Sequence, residues 1–215
     1  MKNLLLAATA ASAMLVAGAA SAEVSYNVAL TSDYVFRGVS QSDENVALQA
    51  GIDWNKDIFY AGAWASNVDF GGDVDYEVDL YAGVKPTAGK FSFDFGVVHY
   101  AYPQDNNGNV TEAKAAVSYP VGAGTIGAAY YTDLDDSFDT YYVELNGAYP
   151  INDKWAVSGA LGKQEYNWGF SYDTWNVGAS YNITDVFSVD LRYHDTSENF
   201  NGYDERVAVT LKAAF

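Results

Sequence analysis

The sequence predicts an all-β protein, a closed antiparallel up-and-down transmembrane β-barrel of about twelve strands. Three observations predict it. Apolar and polar residues alternate with period two up to the last residue, the mark of strands with one apolar and one polar face. Tyr, Trp and Phe crowd the strand ends. Short turns alternate with longer polar loops, as in bacterial outer-membrane barrels. The composition agrees: 215 residues, a formal net charge of −17, 16% aromatics, no cysteine, and a mean hydropathy of only −0.12.

The chain opens on a three-part export signal. Lys2 supplies positive charge, an uncharged run from Leu4 to Ala20 follows, and Ala20-Ser21-Ala22 offers small residues for cleavage before Glu23. Residues 1–22 are therefore expected to be a cleaved signal peptide and 23–215 one barrel domain. A retained membrane helix is the alternative at the N-terminus, and no later window carries the apolar run of a membrane helix.

The strands follow in order at roughly 24–37, 45–54, 58–68, 74–85, 90–101, 110–119, 124–132, 139–149, 154–164, 172–182, 186–194 and 205–215. In the first, Val24, Tyr26, Val28, Leu30, Tyr34 and Phe36 oppose Asn27, Thr31, Asp33 and Arg37. In the second, Leu48, Ile52 and Trp54 oppose Gln49 and Asp53. Val74, Tyr76, Val78 and Leu80 oppose Asp75, Glu77 and Asp79, and Phe91, Phe93 and Phe95 oppose Ser92 and Asp94. Phe187, Val189 and Leu191 oppose Ser188, Asp190 and Arg192, while Val207, Val209 and Leu211 oppose Arg206, Thr210 and Lys212. Pro86, Pro103, Pro120 and Pro150 all fall in connections, where they remove no ladder hydrogen bond.

A soluble barrel would turn the apolar face inward; a membrane barrel turns it to lipid. The charged groups on nearly every strand suit a wet lumen. Two aromatic bands suit the membrane interfaces: Tyr26, Trp54, Tyr60, Tyr119, Tyr149, Trp155 and Tyr181 toward the short turns, with Tyr34, Phe36, Tyr76, Tyr141, Trp175 and Tyr193 toward the long loops. Closure removes the sheet edge that lipid could not satisfy. The terminal Phe215, with apolar residues at alternate places before it, reads as an assembly signal, an amphipathic edge strand being the alternative. The partners this implies are outer-membrane lipids, and periplasmic chaperones and barrel-assembly machinery during biogenesis.

The segment Thr31-Ser32-Asp33-Tyr34-Val35-Phe36-Arg37-Gly38-Val39-Ser40-Gln41-Ser42 resembles the opening of the TorF family of porins, as do Ala47-Leu48-Gln49, Gly51-Ile52-Asp53, residues 60–70 and Glu77 to Gly83. The resemblance implies a Gram-negative outer-membrane β-barrel and says little about the solute.

The expected lumen-lining set is Asp33, Arg37, Asp53, Asp75, Glu77, Asp79, Asp94, Glu112, Lys114, Glu144, Asp190, Arg192, Arg206 and Lys212. Asp33 and Arg37 share a face about 13 Å apart, so each is expected to pair across strands. Acids outnumber bases, so a conduit so lined should favour cations or neutral small hydrophilic solutes. A plugged barrel is the competing expectation, because twelve strands enclose a bore that side chains can close. A non-conducting receptor, adhesin or structural barrel is the alternative function.

Other classes fare worse. The acidity excludes electrostatic nucleic-acid binding. Without cysteine there is no thiol nucleophile or Cys-ligated zinc. His99 and His194 have no nucleophile beside them on the same face, so no enzyme is expected. The Asp133, Asp135, Asp136 and Asp139 loop lacks the glycine and terminal Glu of a calcium loop. Neither metal site nor cofactor is expected.

Overall fold

A computed structural model describes residues 22–105 and 108–215; the expected signal segment lies outside the described residues except for Ala22. The wall strands are β1 (Glu23–Thr31), β2 (Ala47–Lys56), β3 (Phe59–Asn67), β4 (Tyr76–Val84), β5 (Phe91–Ala101), β6 (Val110–Val121), β7 (Gly124–Asp133), β8 (Tyr141–Pro150), β9 (Trp155–Glu165), β10 (Ser171–Asn182), β11 (Phe187–Thr196) and β12 (Arg206–Ala214). Each pairs antiparallel with its sequence neighbour, and β12 returns to β1, giving the closed twelve-stranded barrel that the alternation predicts. The two-residue strand Thr87–Ala88 extends the β4–β5 turn.

The β1–β12 seam runs from Asn27 opposite Ala214 to Thr31 opposite Thr210, and bonds beyond the ladder reinforce it. Phe215 and Tyr26 exchange backbone hydrogen bonds of 2.9 and 3.1 Å. The Thr210 hydroxyl donates to Thr31 Oγ1 at 2.9 Å, and the Val209 N–H donates to Ser32 Oγ at 2.9 Å. The last residue thus closes the ring with its backbone while its side chain points outward, 68% exposed.

Sidedness follows from exposure. Leu145 on β8 faces Leu161 on β9 at mid-height, and they are 61% and 64% exposed. Glu77 and Gln164, on the other face, are each 2% exposed. A water-soluble barrel would do the reverse; this arrangement puts leucine where lipid would cover it and leaves no unpaired sheet edge. The buried apolar cluster is correspondingly small, made of Ala129, Tyr131 and Tyr142.

Strand ends shift so that Pro120 and Pro150, expected in connections, fall at the paired ends of β6 and β8, and three further predicted elements differ. First, β1 ends at Thr31 and not at residue 37. Period two persists beyond it because Val35–Phe36 pairs with Val39–Ser40 in a separate tiny hairpin. Arg37 and Gly38 close that hairpin with φ of 48° and 86°, the two positive values that fit a two-residue turn to strand twist. Second, Tyr34 and Phe36, on this hairpin, turn inward instead of joining the upper aromatic band: the Tyr34 ring meets Trp64 edge-on at 5.2 Å and Phe36 meets Tyr100 at 5.7 Å. Third, Tyr60 leaves the lower band. It shares parity with Gly62, Trp64 and Ser66, its hydroxyl donates to Asp94 at 2.8 Å, and Phe59, 54% exposed, takes the outward place beside it.

The remaining band residues lie on outward parity. Toward the short turns stand Tyr26, Trp54, Tyr119, Tyr149, and Trp155 packed on Tyr181 at 4.7 Å. Toward the long loops stand Tyr76, Tyr141 stacked on Tyr130 at 5.8 Å, and Trp175 packed on Tyr193 at 5.0 Å.

Candidate functional site

Alternation on the wall strands aims Asp53, Glu77, Asp79, Asp94, Glu112, Lys114, Glu144, Asp190, Arg192, Arg206 and Lys212 at the interior. Asp33 follows β1 and is also buried. Asp75 does not join them: it precedes β4, is exposed at the rim, and its carboxylate accepts from Gln104 Nε2 at 3.2 Å. Arg37 enters from the hairpin, not from the wall.

The interior charges are organised into pairs. Lys114 Nζ lies 2.7 Å from Asp94. Arg192 holds both oxygens of Asp190 at 3.1 Å and reaches Asn176 at 2.7 Å and Ser158 at 2.8 Å. Arg206 lies 3.2 Å from Asp33, and Asp33 accepts the Ser40 and Ser42 hydroxyls at 2.7 and 3.1 Å. Asp33 therefore anchors the 32–46 loop to the β12 wall.

Arg37 anchors the same loop to the opposite wall. Its guanidinium donates to both Glu112 oxygens at 2.7 Å, a bidentate pair, and to Gln164 Oε1 at 3.1 Å. Below it lies one inward rung of consecutive register partners: Lys114, Tyr131, Tyr142, Gln164 and Tyr172. The Arg37 carbon sits 4.9 Å from the Tyr131 centroid, 4.5 Å from Tyr142 and 4.7 Å from Phe36. Desolvated contacts of this kind contribute about 2 kcal/mol. Burial alone would lower the Arg37 pKa, but the Glu112 carboxylate outweighs it and the pKa rises. The loop thus crosses the bore as a strap fixed at both ends.

Gly38 permits the crossing. At φ 86°, an added Cβ would meet Thr174 Oγ1 and come within 2.7 Å of Thr196 Cγ2.

Among the described residues, four inward acids have no basic group within ion-pair distance: Asp53, Glu77, Asp79 and Glu144. Tyrosines serve three of them. Tyr34 and Tyr102 donate to Glu77 at 3.0 and 2.7 Å, Tyr81 to Asp53 at 2.6 Å, and Tyr142 to Glu144 at 3.0 Å. Asp79 Oδ1 is buried with no hydrogen-bond partner among the described residues. Toward the short turns the bore opens into a cavity of about 80 Å³ bordered by Lys85, Asp94, Lys114, Glu144 and Asn146. Lys85, over the Tyr60 ring at 4.3 Å, has a pKa lowered by burial, with Asp94 opposing and Lys114 reinforcing the shift.

Sequence reasoning missed Lys85 because it sits in a turn, and missed Tyr81, Tyr100, Tyr131 and Tyr142 because aromatic residues were assigned to the membrane bands. Parity carried the signal: Tyr81 stands two residues after Asp79 on the same face. His194 is inward and His99 outward, with His99 Nδ1 3.0 Å from Thr111 Oγ1. The acidic loop spends its carboxylates on backbone N–H groups, Asp133 accepting from Asp135 at 2.7 Å and Asp136 from Thr140 at 3.0 Å.

A closed barrel with aliphatic exterior and polar, ion-paired interior defines the class: the fold is that of outer-membrane β-barrels. Residues 16–215 match the family described as "Bacterial protein of unknown function (Gcw_chp)", and the chain belongs to that family. Among solved structures, a KdgM porin in complex with disordered oligogalacturonate is 11% identical, with TM-score 0.65, over 91% of this chain and 99% of that one. The KdgM porin determined separately is 12% identical with TM-score 0.63 over the same shares. The COG4313 outer membrane channel from Pseudomonas putida F1 is 14% identical, with TM-score 0.57, over 92% of this chain and 96% of that one. At these identities the likeness is one of fold. No curated protein matches the sequence.

Proposed function

We propose that this chain is an outer-membrane channel for passive diffusion of small hydrophilic solutes, as its resemblance to TorF porins implies, with the 32–46 loop as its constriction. The observation that carries the reading is the strap itself. Asp33 and Arg37 fix the loop to opposite walls across a polar bore, and the small inward residues Ser92, Ser118 and Gly127 border the cavity toward the short turns.

The lumen prefers cations and neutral solutes. Ion pairs consume Asp33, Asp94, Glu112 and Asp190, leaving Asp53, Glu77, Asp79 and Glu144 against Lys85 and Lys212. This balance disfavours a polyanion such as the oligogalacturonate of the KdgM complex. Outer-membrane lipids contact the leucine band, and periplasmic chaperones and the barrel-assembly machinery, reading Phe215, act during biogenesis.

The test is the reversal potential of the refolded protein in planar bilayers under a tenfold KCl gradient. A sign reporting K⁺ preference supports the reading, and Cl⁻ preference overturns the selectivity. The depth of the strap also favours a second reading, a non-conducting barrel serving as receptor or structural protein. Absence of any conductance step would select it.

A further inference from the structure

The long-loop rim carries an aromatic stack that the ion-paired lumen does not use. Tyr166, Trp168 and Phe170 lie in the 166–170 connection; the Tyr166 N–H donates to the Phe170 carbonyl at 2.9 Å and extends the register that sets Gln164 opposite Tyr172, so Tyr166 and Phe170 share the inward face, and Trp168 at the turn packs on both. Their rings lie nearly parallel: Trp168 on Phe170 at 5.2 Å and 8°, Tyr166 on Trp168 at 5.4 Å and 24°. From the 197–205 loop, Phe200 meets Phe170 at 6.0 Å and Tyr203 at 4.4 Å, and Tyr203 stands edge-on to Tyr172 at 5.1 Å. Tyr172 belongs to the rung on which Arg37 rests.

Buried rings would explain themselves as packing, but these are open: Trp168 is 69% exposed and Phe200 47%. Aromatic groups of this size are not left in water at a channel mouth without cost. Exposed Asn167, Asn199 and Asn201 flank them, offering donors and acceptors at the edges of a flat apolar surface. Glu198, Asp204 and Glu205 add negative charge to this rim, while the neighbouring Arg206 turns inward to Asp33, so the rim repels anionic ligands.

Resting on the channel reading, and naming its solute class, we propose that this stack is an entry subsite for a free neutral oligosaccharide. The apolar faces of pyranose rings stack on Trp168, Phe170 and Phe200, and ring hydroxyls hydrogen-bond to the flanking amides. The ladder leads from the rim to the Arg37 strap, so a bound sugar is delivered to the constriction. A ligand anchored in the membrane would meet the lipid face, which these rings do not occupy.

The experiment is isothermal titration of the full, refolded chain in detergent with maltohexaose, cellohexaose and chitohexaose, with tetragalacturonate as the acidic probe. At least one neutral hexaose binds, tetragalacturonate binds about tenfold more weakly or not at all, and W168A and F200A each weaken the neutral sugar by about tenfold, the scale of ring stacking on one aromatic side chain. Both truncated side chains are exposed, and heat-modifiable gel mobility confirms that the variants fold. Failure of all three hexaoses to bind overturns the proposal. So does wild-type affinity in both variants, tighter binding of the acidic probe, or binding of lipopolysaccharide alone. Titration needs no conductance, so binding without conductance overturns the channel and keeps the subsite, while conductance without binding does the opposite.

Discussion

Arg37 and Glu112 show how much a single contact decides here. Both side chains are under 10% exposed, so removing one strands the other's charge, and breaking such a pair typically costs about 3–5 kcal/mol. R37A is therefore expected to lower stability by that order in urea titrations of the refolded barrel, with E112Q in the same background restoring part of the loss because no carboxylate is then left unpaired. Equal stability of R37A and wild type would show that the pair is not made. Gly38→Ala tests the other side of the turn. Its positive φ and the Thr174–Thr196 wall leave no room for a Cβ, so the variant should expose the 32–46 loop to protease at a concentration that leaves the wild type intact.

The strap also explains what the sequence could and could not disclose about individual elements. Twelve strands were legible because lipid outside and water inside impose strict alternation. Their order and closure followed from the short and long connections. The hairpin at Val35–Ser40 was not legible as a hairpin, since period two is the same in a wall strand and in a strand that leaves the wall. Tyr60 shows the related failure: its position near a strand end suggested an interface, while parity with Gly62 and Trp64 placed it inside. The lumen acids were readable because only polar residues tolerate that face. Their pairings were not, because Arg37 lies 75 residues from Glu112 in sequence and Arg206 lies 173 from Asp33. If the element is a separable constriction, deleting residues 35–40 should leave β content by circular dichroism and heat-modifiable mobility unchanged. A deleted barrel that fails to fold would make the hairpin part of the wall's stability.

At the scale of the whole molecule, the inversion of exposure makes the strongest physical demand. Leu145, midway along β8 and 61% exposed, should face the bilayer centre, where an Arg costs about 2–4 kcal/mol. L145R should lose stability by that order in lipid vesicles, whereas a soluble barrel would tolerate the exposed charge nearly free of cost. Closure then fixes the bore, the bore holds the paired charges, and the strap crosses it between Asp33 and Arg37. The claim on which all of this converges is that the 32–46 loop is what limits passage. Single-channel conductance of wild type and R37A in planar bilayers tests it most directly. The wild type should show a small, K⁺-preferring step and R37A a several-fold larger one; equal conductance in the two proteins would contradict a constriction formed by this loop.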